Sequence, residues 1–494
     1  MFESAELGHS ISKRTYSREV PKLREALLDS QYDLFQDGRF PVMVLIAGVD
    51  GAGKGETVNL LNEWMDPRHI RVAAFGEPSD EERERPPMWR YWRELPPKGK
   101  IGILFGHWYT DPILDRVYRK SKQPQLILSI EEIVRFEKML TDEGALLLKF
   151  WLHLSKEKQK KRLKALEKDP KTRWRVTETD RRHFKLYDRF RKVSELALRQ
   201  TSSASAPWIV VEGEDARYRN LTVGRALLAA MRERLDQKPA KPAADRIPPI
   251  PRPIDNRHVL GALDLTLKLD RKKYTELFAL YQGRLNLLSR NPGFRRRSAI
   301  LVFEGNDAAG KGGAIRRIAA ALDARHYRII PVAAPTEEER AQPYLWRFWR
   351  HVPQLGRFAL FDRSWYGRVL VERVEGLASE FDWARAYPEI NDFEQQLADN
   401  GAIVMKFWLA ISKDEQYRRF KERQQTAFKR FKITPEDWRN RKKWEAYEQA
   451  VCDMVDRTST AVAPWTLVEA NDQLYARIKV LKTICERLES SLKR

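Results

Sequence analysis

The sequence predicts an α/β fold written twice along one chain, each copy a parallel sheet with helices on both faces. Three observations predict it. The chain repeats itself: GVDGAGKG at 48–55 returns as GNDAAGKG at 305–312, with Gly305 standing 257 residues after Gly48. Short apolar, β-branched runs end in glycine, as buried strands do: FPVMVLIAG at 40–48 and AILVFEG at 299–305. Each run then passes through a glycine-rich turn into a helical stretch, the alternation that parallel sheets require.

The remaining elements follow in order at the same offset. PPMWRYWR (86–93) falls on PYLWRFWR (343–350), and LLLKFWLHLSK (146–156), a strand candidate, falls on IVMKFWLAISK (403–413). APWIVVEGED (206–215), holding another strand, lands on APWTLVEAND (463–472). Matched side chain to side chain, the repeat slips once: LFGHWY at 104–109 matches LFDRSWY at 360–366 with one residue inserted before Phe105 and one removed after His107. Between the copies lies DQKPAKPAADRIPPIPRPIDN (236–256). Its prolines remove backbone donors and disfavour helix, so an extended, fairly stiff connector is expected. The domains are accordingly 1–236, a linker at 237–256, and 257–494.

Composition narrows the class. At 494 residues the chain exceeds one ordinary core. No apolar run reaches the length of a membrane span, and MFESAELGHSISKR lacks the apolar core of a signal peptide, so a cytoplasmic protein is expected. Two late cysteines, Cys452 and Cys485, make neither a disulfide framework nor a zinc pattern and read as ordinary buried thiols. The formal charge of +22 steers polyanions toward the surface. No helix-turn-helix, zinc-finger or RNA-binding signature accompanies it, so charge alone leaves nucleic acid, anionic membrane and inorganic polyanions open.

The chemistry sits in the glycine-rich turn. GNDAAGKGG follows a strand, precedes a helix, and carries the GxxxxGK core of a phosphate loop. Backbone N–H groups of Gly305, Asn306, Ala308, Ala309, Gly310, Gly312 and Gly313 are placed to curl around phosphate oxygens, and Lys311 adds a positive charge. Gly48 to Lys54 repeats the loop in the first copy. The residue after the lysine departs from the common pattern. A magnesium-binding Ser or Thr is expected there, and Gly312 and Gly55 stand instead. Each loop carries an acid in its middle, Asp307 and Asp50, and Asp307 could replace the hydroxyl at a hard cation. The competing reading is a loop aspartate capping the next helix. A second acid, Asp362, ends the apolar run RFALF, where a Walker-B-type carboxylate sits, and Arg363, Arg368, Glu372 and Arg373 follow. Arginines here can clamp transferring phosphoryl oxygens, against the alternative of structural ion pairs.

These motifs, GNDAAGKGG, PTEEERAQPYLWRFWRHVPQLG, LFDRSWYGRVLVERV and APWTLVEAND, closely resemble the polyphosphate kinase 2 family, in its fused two-domain class. The resemblance implies a P-loop kinase fold similar to thymidylate kinase, with a helical lid over the site. It implies Mg2+-assisted transfer of the terminal phosphoryl group of inorganic polyphosphate to AMP, giving ADP. It also suggests a homo-oligomer, with a dimer the first candidate. Lys311 and Asp307 match the family's loop lysine and aspartate, Asp362 and Arg363 its second-strand pair, and Arg368 and Glu372 the same motif. Asp307 and Asp362 would hold the metal. The lid corresponds to YRRFKERQQTAFKRFK, offering Arg419, Arg423, Lys429 and Lys432 to phosphate, against a solvated basic helix. The rival functions are an ATP-dependent nucleoside monophosphate kinase and a non-catalytic polyanion-binding protein. Neither a membrane nor a specific nucleic acid is expected as a partner.

The first copy reads as degenerate. Where the second has Asp362 and Arg363, this alignment gives it Gly106 and His107, with the following serine absent. Asp111 and Asp115 are the acids nearest in sequence that could substitute. The first domain is therefore expected to be a structural or polyphosphate-holding partner of a catalytic second domain.

Overall fold

A computed structural model describes residues 1–237, 258–427 and 433–493. Its described residues form two compact units. Among the described residues, the first comprises 1–78, 90–237 and 335–346, and the second 79–89, 258–334, 347–427 and 433–493. Neither unit is one continuous stretch of sequence.

In the first unit, β1 (Val42–Gly48), β2 (Ile70–Ala74), β3 (Ile101–Phe105), β4 (Leu146–His153) and β5 (Trp208–Glu212) make a sheet of order β2-β3-β1-β4-β5. In the second, β6 (Ser298–Gly305), β7 (Tyr327–Pro331), β8 (Phe358–Asp362), β9 (Ala402–Ala410) and β10 (Trp465–Glu469) make the sheet β10-β9-β6-β8-β7, the same order. All pairings are parallel. The central strands are apolar without alternation because helices cover both faces. Leu301, Phe303, Phe407 and Val468 are sealed into one core with Ile315, Ile318, Leu481 and Ile484 from the flanking helices.

One polar exception recurs in both sheets. Lys406, in the middle of β9, is fully buried and donates to Glu394 Oε2 at 2.7 Å, Tyr366 Oη at 2.8 Å and the Thr458 carbonyl at 2.7 Å. Its counterpart Lys149 donates to Glu137 at 2.7 Å and the Thr201 carbonyl at 2.8 Å. Burial without these partners would cost several kcal/mol. The trio ties the β9 and β4 strands to the helices Glu380–Asp399 and Gln123–Asp142 that carry the glutamates.

The strand ladders correct the alignment of the repeat. Asp362 lies opposite Phe303 in β6, and Phe105 lies opposite Ile46 in β1. Phe303 and Ile46 occupy the same position of the repeat, so the counterpart of Asp362 is Phe105, not Gly106. The next main-chain bonds agree: Val332 N–H donates to Asp362 O, and Phe75 N–H to Phe105 O. The offset of 257 residues therefore runs unbroken, with no insertion before Phe105 and no deletion after His107. Gly106 stands for Arg363 and His107 for Ser364.

His107 shows how the first copy absorbed its change. The ring is buried beside Trp108, Tyr109 and Trp208. Burial, with the positive charges of Lys149 and Lys54, lowers it to about 3. An unfolded chain takes up this proton near pH 6.5, the folded one near 3, so acid favours unfolding. The neutral ring's contribution is complete above pH 6.5 and is lost as pH falls toward 3. Going from pH 7 to pH 5 is expected to cost about 2 kcal/mol. Denaturant unfolding at the two pH values, with His107→Gln as control, checks this; an equal loss in the variant contradicts it.

Candidate active site

The phosphate loop of the second unit begins where β6 ends. Gly305 has φ +149°, and a Cβ there would stand 2.5 Å from the Leu409 carbonyl, so only glycine lets the chain turn against β9. Gly310, at φ +111°, caps the helix Lys311–Ala319. Asn306 bridges the loop to the end of β9, its Oδ1 accepting from Ile411 N–H at 3.2 Å. Lys311 reaches back under the loop, donating to the Gly305 carbonyl at 2.6 Å and the Asn306 carbonyl at 3.3 Å. Burial lowers its pKa, against the pull of Asp307.

The two acids take different surroundings. Asp307 accepts from Arg363 at 3.3 Å through Oδ1 and from Asn440 at 3.0 Å through Oδ2. Its side chain therefore faces Arg363 and the helix Pro435–Lys442 and does not cap the loop helix. The carboxylate of Asp362, at the tip of β8, accepts no hydrogen bond and makes no ion pair among the described residues. A Cβ at Gly312 would lie 3.7 Å from Asp362 Oδ2. The Asp362 carboxylate thus comes in from the neighbouring strand beside the position where a loop hydroxyl would stand.

Arg368 and Glu372 pair with each other at 3.1 Å. Arg373 is bound to Asp453 at 2.7 Å and to Tyr387 Oη at 2.9 Å, the structural ion pair. Arg419 is taken up from below. Its buried guanidinium donates to the carbonyls of Ala308, Ala309, Ala470 and Asn471 at 2.7–3.1 Å. Glu415 accepts from its Nε at 2.5 Å. That arginine stands in the wall of the cavity over the loop with its N–H groups turned to these carbonyls and to Glu415. Arg423 faces the cavity over the loop. Lys429 and Lys432 lie outside the described residues.

That cavity, about 630 Å³, is lined by loop residues 307–313, Asp362 and Arg363, and by Arg316, Arg317, Gln473 and Arg477. Sequence reasoning missed the last four. The signal was in the repeat, where the same positions of the first copy read Asn59, Leu60, Ala216 and Asn220. On the other side of Asp307 and Arg363, a narrower cleft runs between Glu304, Trp408, Asn440, Trp444 and Tyr447.

The loop of the first unit keeps its shape and neutralises itself. Asp50 accepts from Lys54 Nζ at 3.0 Å and contacts His183 Nδ1 at 2.6 Å. Burial works against ionisation of Asp50, but the Lys54 and His183 charges prevail and hold the carboxyl well below the usual range. Glu56, where the second copy has Gly313, pairs with Arg219 at 3.0 Å, Arg175 at 3.3 Å and Arg162 at 3.5 Å. The Arg219 guanidinium packs against Gly53, 1.9 Å from where a Cβ would be, and donates to the Ala52 carbonyl. A carboxylate at the start of the loop helix and a buried arginine thus pair against this loop, the arginine bracing its Ala52 carbonyl. Asp115 pairs with Lys120, and neither it nor Asp111 bonds to loop 48–55 among the described residues.

A glycine cradle with its lysine, and an acid at the tip of the adjacent parallel strand, define a phosphate-handling α/β fold of the P-loop kind. The family description "Polyphosphate kinase 2" matches residues 10–239 and 268–494, and the chain belongs to that family. It is 59% identical to a polyphosphate:AMP phosphotransferase of Pseudomonas aeruginosa, over the full length of both. It is 38% identical to one of Acinetobacter johnsonii, over 94% of this chain and 95% of the other. A solved crystal structure described as a polyphosphate kinase 2 of Pseudomonas aeruginosa superposes with a TM-score of 0.91 at 57% identity, covering all of both chains.

Proposed function

We propose that the second unit transfers the terminal phosphoryl group of inorganic polyphosphate to AMP, releasing ADP and a shortened polyphosphate. The observation that carries this is the meeting of two unlike cavities at Asp307 and Arg363. One is wide and ringed by arginines, suited to a polyanion; the other is narrow and walled by Trp408, Trp444 and Tyr447, suited to a base and ribose. Donor and acceptor phosphates placed in them would meet at the shared residues. The names of the full-length relatives specify the same pair of substrates.

In-line transfer asks for positioning and charge neutralisation, not covalent catalysis. Lys311 and the loop amides hold donor phosphate, Arg316, Arg317, Arg423 and Arg477 hold the chain behind it, and Arg363 faces the migrating group. Magnesium fits the acids present: it binds through one or two carboxylates plus phosphate oxygens, and the Asp362 carboxylate is taken up in no side-chain hydrogen bond or ion pair among the described residues. Asp362 and Asp307 would hold it, and once bound it neutralises charge on the transferring phosphates. At about 80 Å³ the aromatic cleft is smaller than the ~300 Å³ of ordinary ligand pockets, so nucleotide entry entails outward movement of the helices Pro435–Lys442 and Trp444–Thr458. The first unit, whose loop aspartate and lysine pair with each other and whose Glu56 pairs with Arg219, is assigned a structural role. The net charge of +22 predicts affinity for polyphosphate that falls with salt. No described helix is long and apolar enough to cross a membrane.

The test is ADP formation by the purified chain from AMP with polyphosphate and magnesium, against AMP with ATP. Turnover with polyphosphate supports the assignment; turnover with ATP alone overturns it.

A further inference from the structure

At the wall of the narrow cleft lies a buried carboxylate to which the transfer as described assigns no role. Glu304, the last residue of β6 before Gly305, is 5% exposed. Its Oε1 accepts from Ser364 Oγ at 2.8 Å, and Ser364 is itself 1% exposed. Burial pushes the Glu304 carboxyl up. The residue between Asp362 and Ser364 is strained: Arg363 has φ +65°, the left-handed region that a bulky side chain avoids. Two consecutive bonds fasten it to β6. Arg363 N–H donates to the Phe303 carbonyl at 3.0 Å, and Ser364 Oγ donates to Glu304 on the next residue. Ser364 Oγ also accepts from Tyr366 N–H at 3.3 Å, which starts the turn Trp365–Arg368.

The first unit serves as an internal control. It keeps the buried Trp–Tyr–Glu–Lys network intact: Trp108 and Tyr109 donate to Glu137, as Trp365 and Tyr366 donate to Glu394. That network therefore belongs to the fold. By contrast Glu304 becomes Ala47, Ser364 becomes His107, and the strained arginine becomes Gly106, which adopts φ +70° at no steric cost. The carboxylate–hydroxyl bond is present in the copy that must hold an arginine in a left-handed turn and gone from the copy that need not.

We infer that Glu304 and Ser364 are positioning residues, a latch that holds the Asp362–Arg363 turn in its strained form and so aims the Arg363 guanidinium at the phosphoryl group in transfer. The inference rests on the assignment of the second unit as the transfer site. It predicts a defect in kcat and not in KM, because the misplaced group acts on the migrating phosphoryl rather than on bound substrate.

The experiment is steady-state kinetics of the full chain with polyphosphate and AMP for Ser364→Ala, Glu304→Ala and Glu304→Gln, each with its thermal unfolding curve. Ser364→Ala is expected to lower kcat by roughly 10–100-fold with both KM values within about 3-fold of wild type, and Glu304→Ala, which also alters the wall of the narrow cleft, to lower kcat by the same factor. Glu304→Gln, whose amide oxygen still accepts from the serine, is expected to retain at least about a third of wild-type kcat. Wild-type kcat in Ser364→Ala, or equal losses in the two Glu304 variants, overturns the latch. Should Ser364→Ala fail to fold, the Glu304 pair carries the test alone. A wild-type chain without polyphosphate-dependent turnover would instead overturn the functional assignment, and the two failures are told apart by that control.

Discussion

Replacing Asp362 by asparagine is expected to lower kcat by at least about 10³-fold while polyphosphate still binds to the full chain. The side chain keeps its shape at the tip of β8, so the fold has no reason to change. What goes is the negative charge beside Gly312, and no described hydrogen bond or ion pair of Asp362 is lost with it. A magnesium ion held there would lose a ligand just where charge on the transferring phosphates is neutralised. Retention of polyphosphate is expected to persist, because the arginines of the cavity supply that affinity. Turnover within about 10-fold of wild type would remove Asp362 from the site.

Arg363→Gly is expected to separate activity from stability. Loss of the guanidinium proposed to face the transferring group is expected to lower kcat by about 10²–10³-fold. Yet the substitution installs the residue that φ +65° favours, as Gly106 already does in the first unit. Relief of left-handed strain, worth about 1 kcal/mol, offsets the added freedom of glycine in the unfolded chain. The ion pair to Asp307 adds little, since Arg363 is 46% exposed. Denaturant unfolding should show stability unchanged or raised by up to about 1 kcal/mol. A loss of more than about 2 kcal/mol would mean that the arginine holds the fold and not only the reaction.

Much of this was legible in the sequence because its signals are local. A glycine-ended strand, a GxxxxGK turn and an acid at the end of the next apolar run fix a parallel sheet and its phosphate site within a few residues each. The register at 104–109 was not legible, because matching side chains keeps LF with LF, whereas the ladder places Phe105 where Asp362 stands. The role of Arg419 was hidden for a different reason. On a helix as basic as Lys413–Gln425, spacing does not say which arginine turns inward, and in the first unit the same carbonyl-bracing task passes to Arg219 on another helix. Glu304 was read as part of a strand, and only its contrast with Ala47 at the same repeat position marks it.

The central claim is that one of two similar loops does the chemistry, and the two loop lysines test it most directly. In the full chain, AMP phosphorylation by polyphosphate should fall by at least about 10²-fold for Lys311→Ala and stay within about 2-fold of wild type for Lys54→Ala. Equal losses in the two variants, or a larger loss for Lys54→Ala, would contradict it.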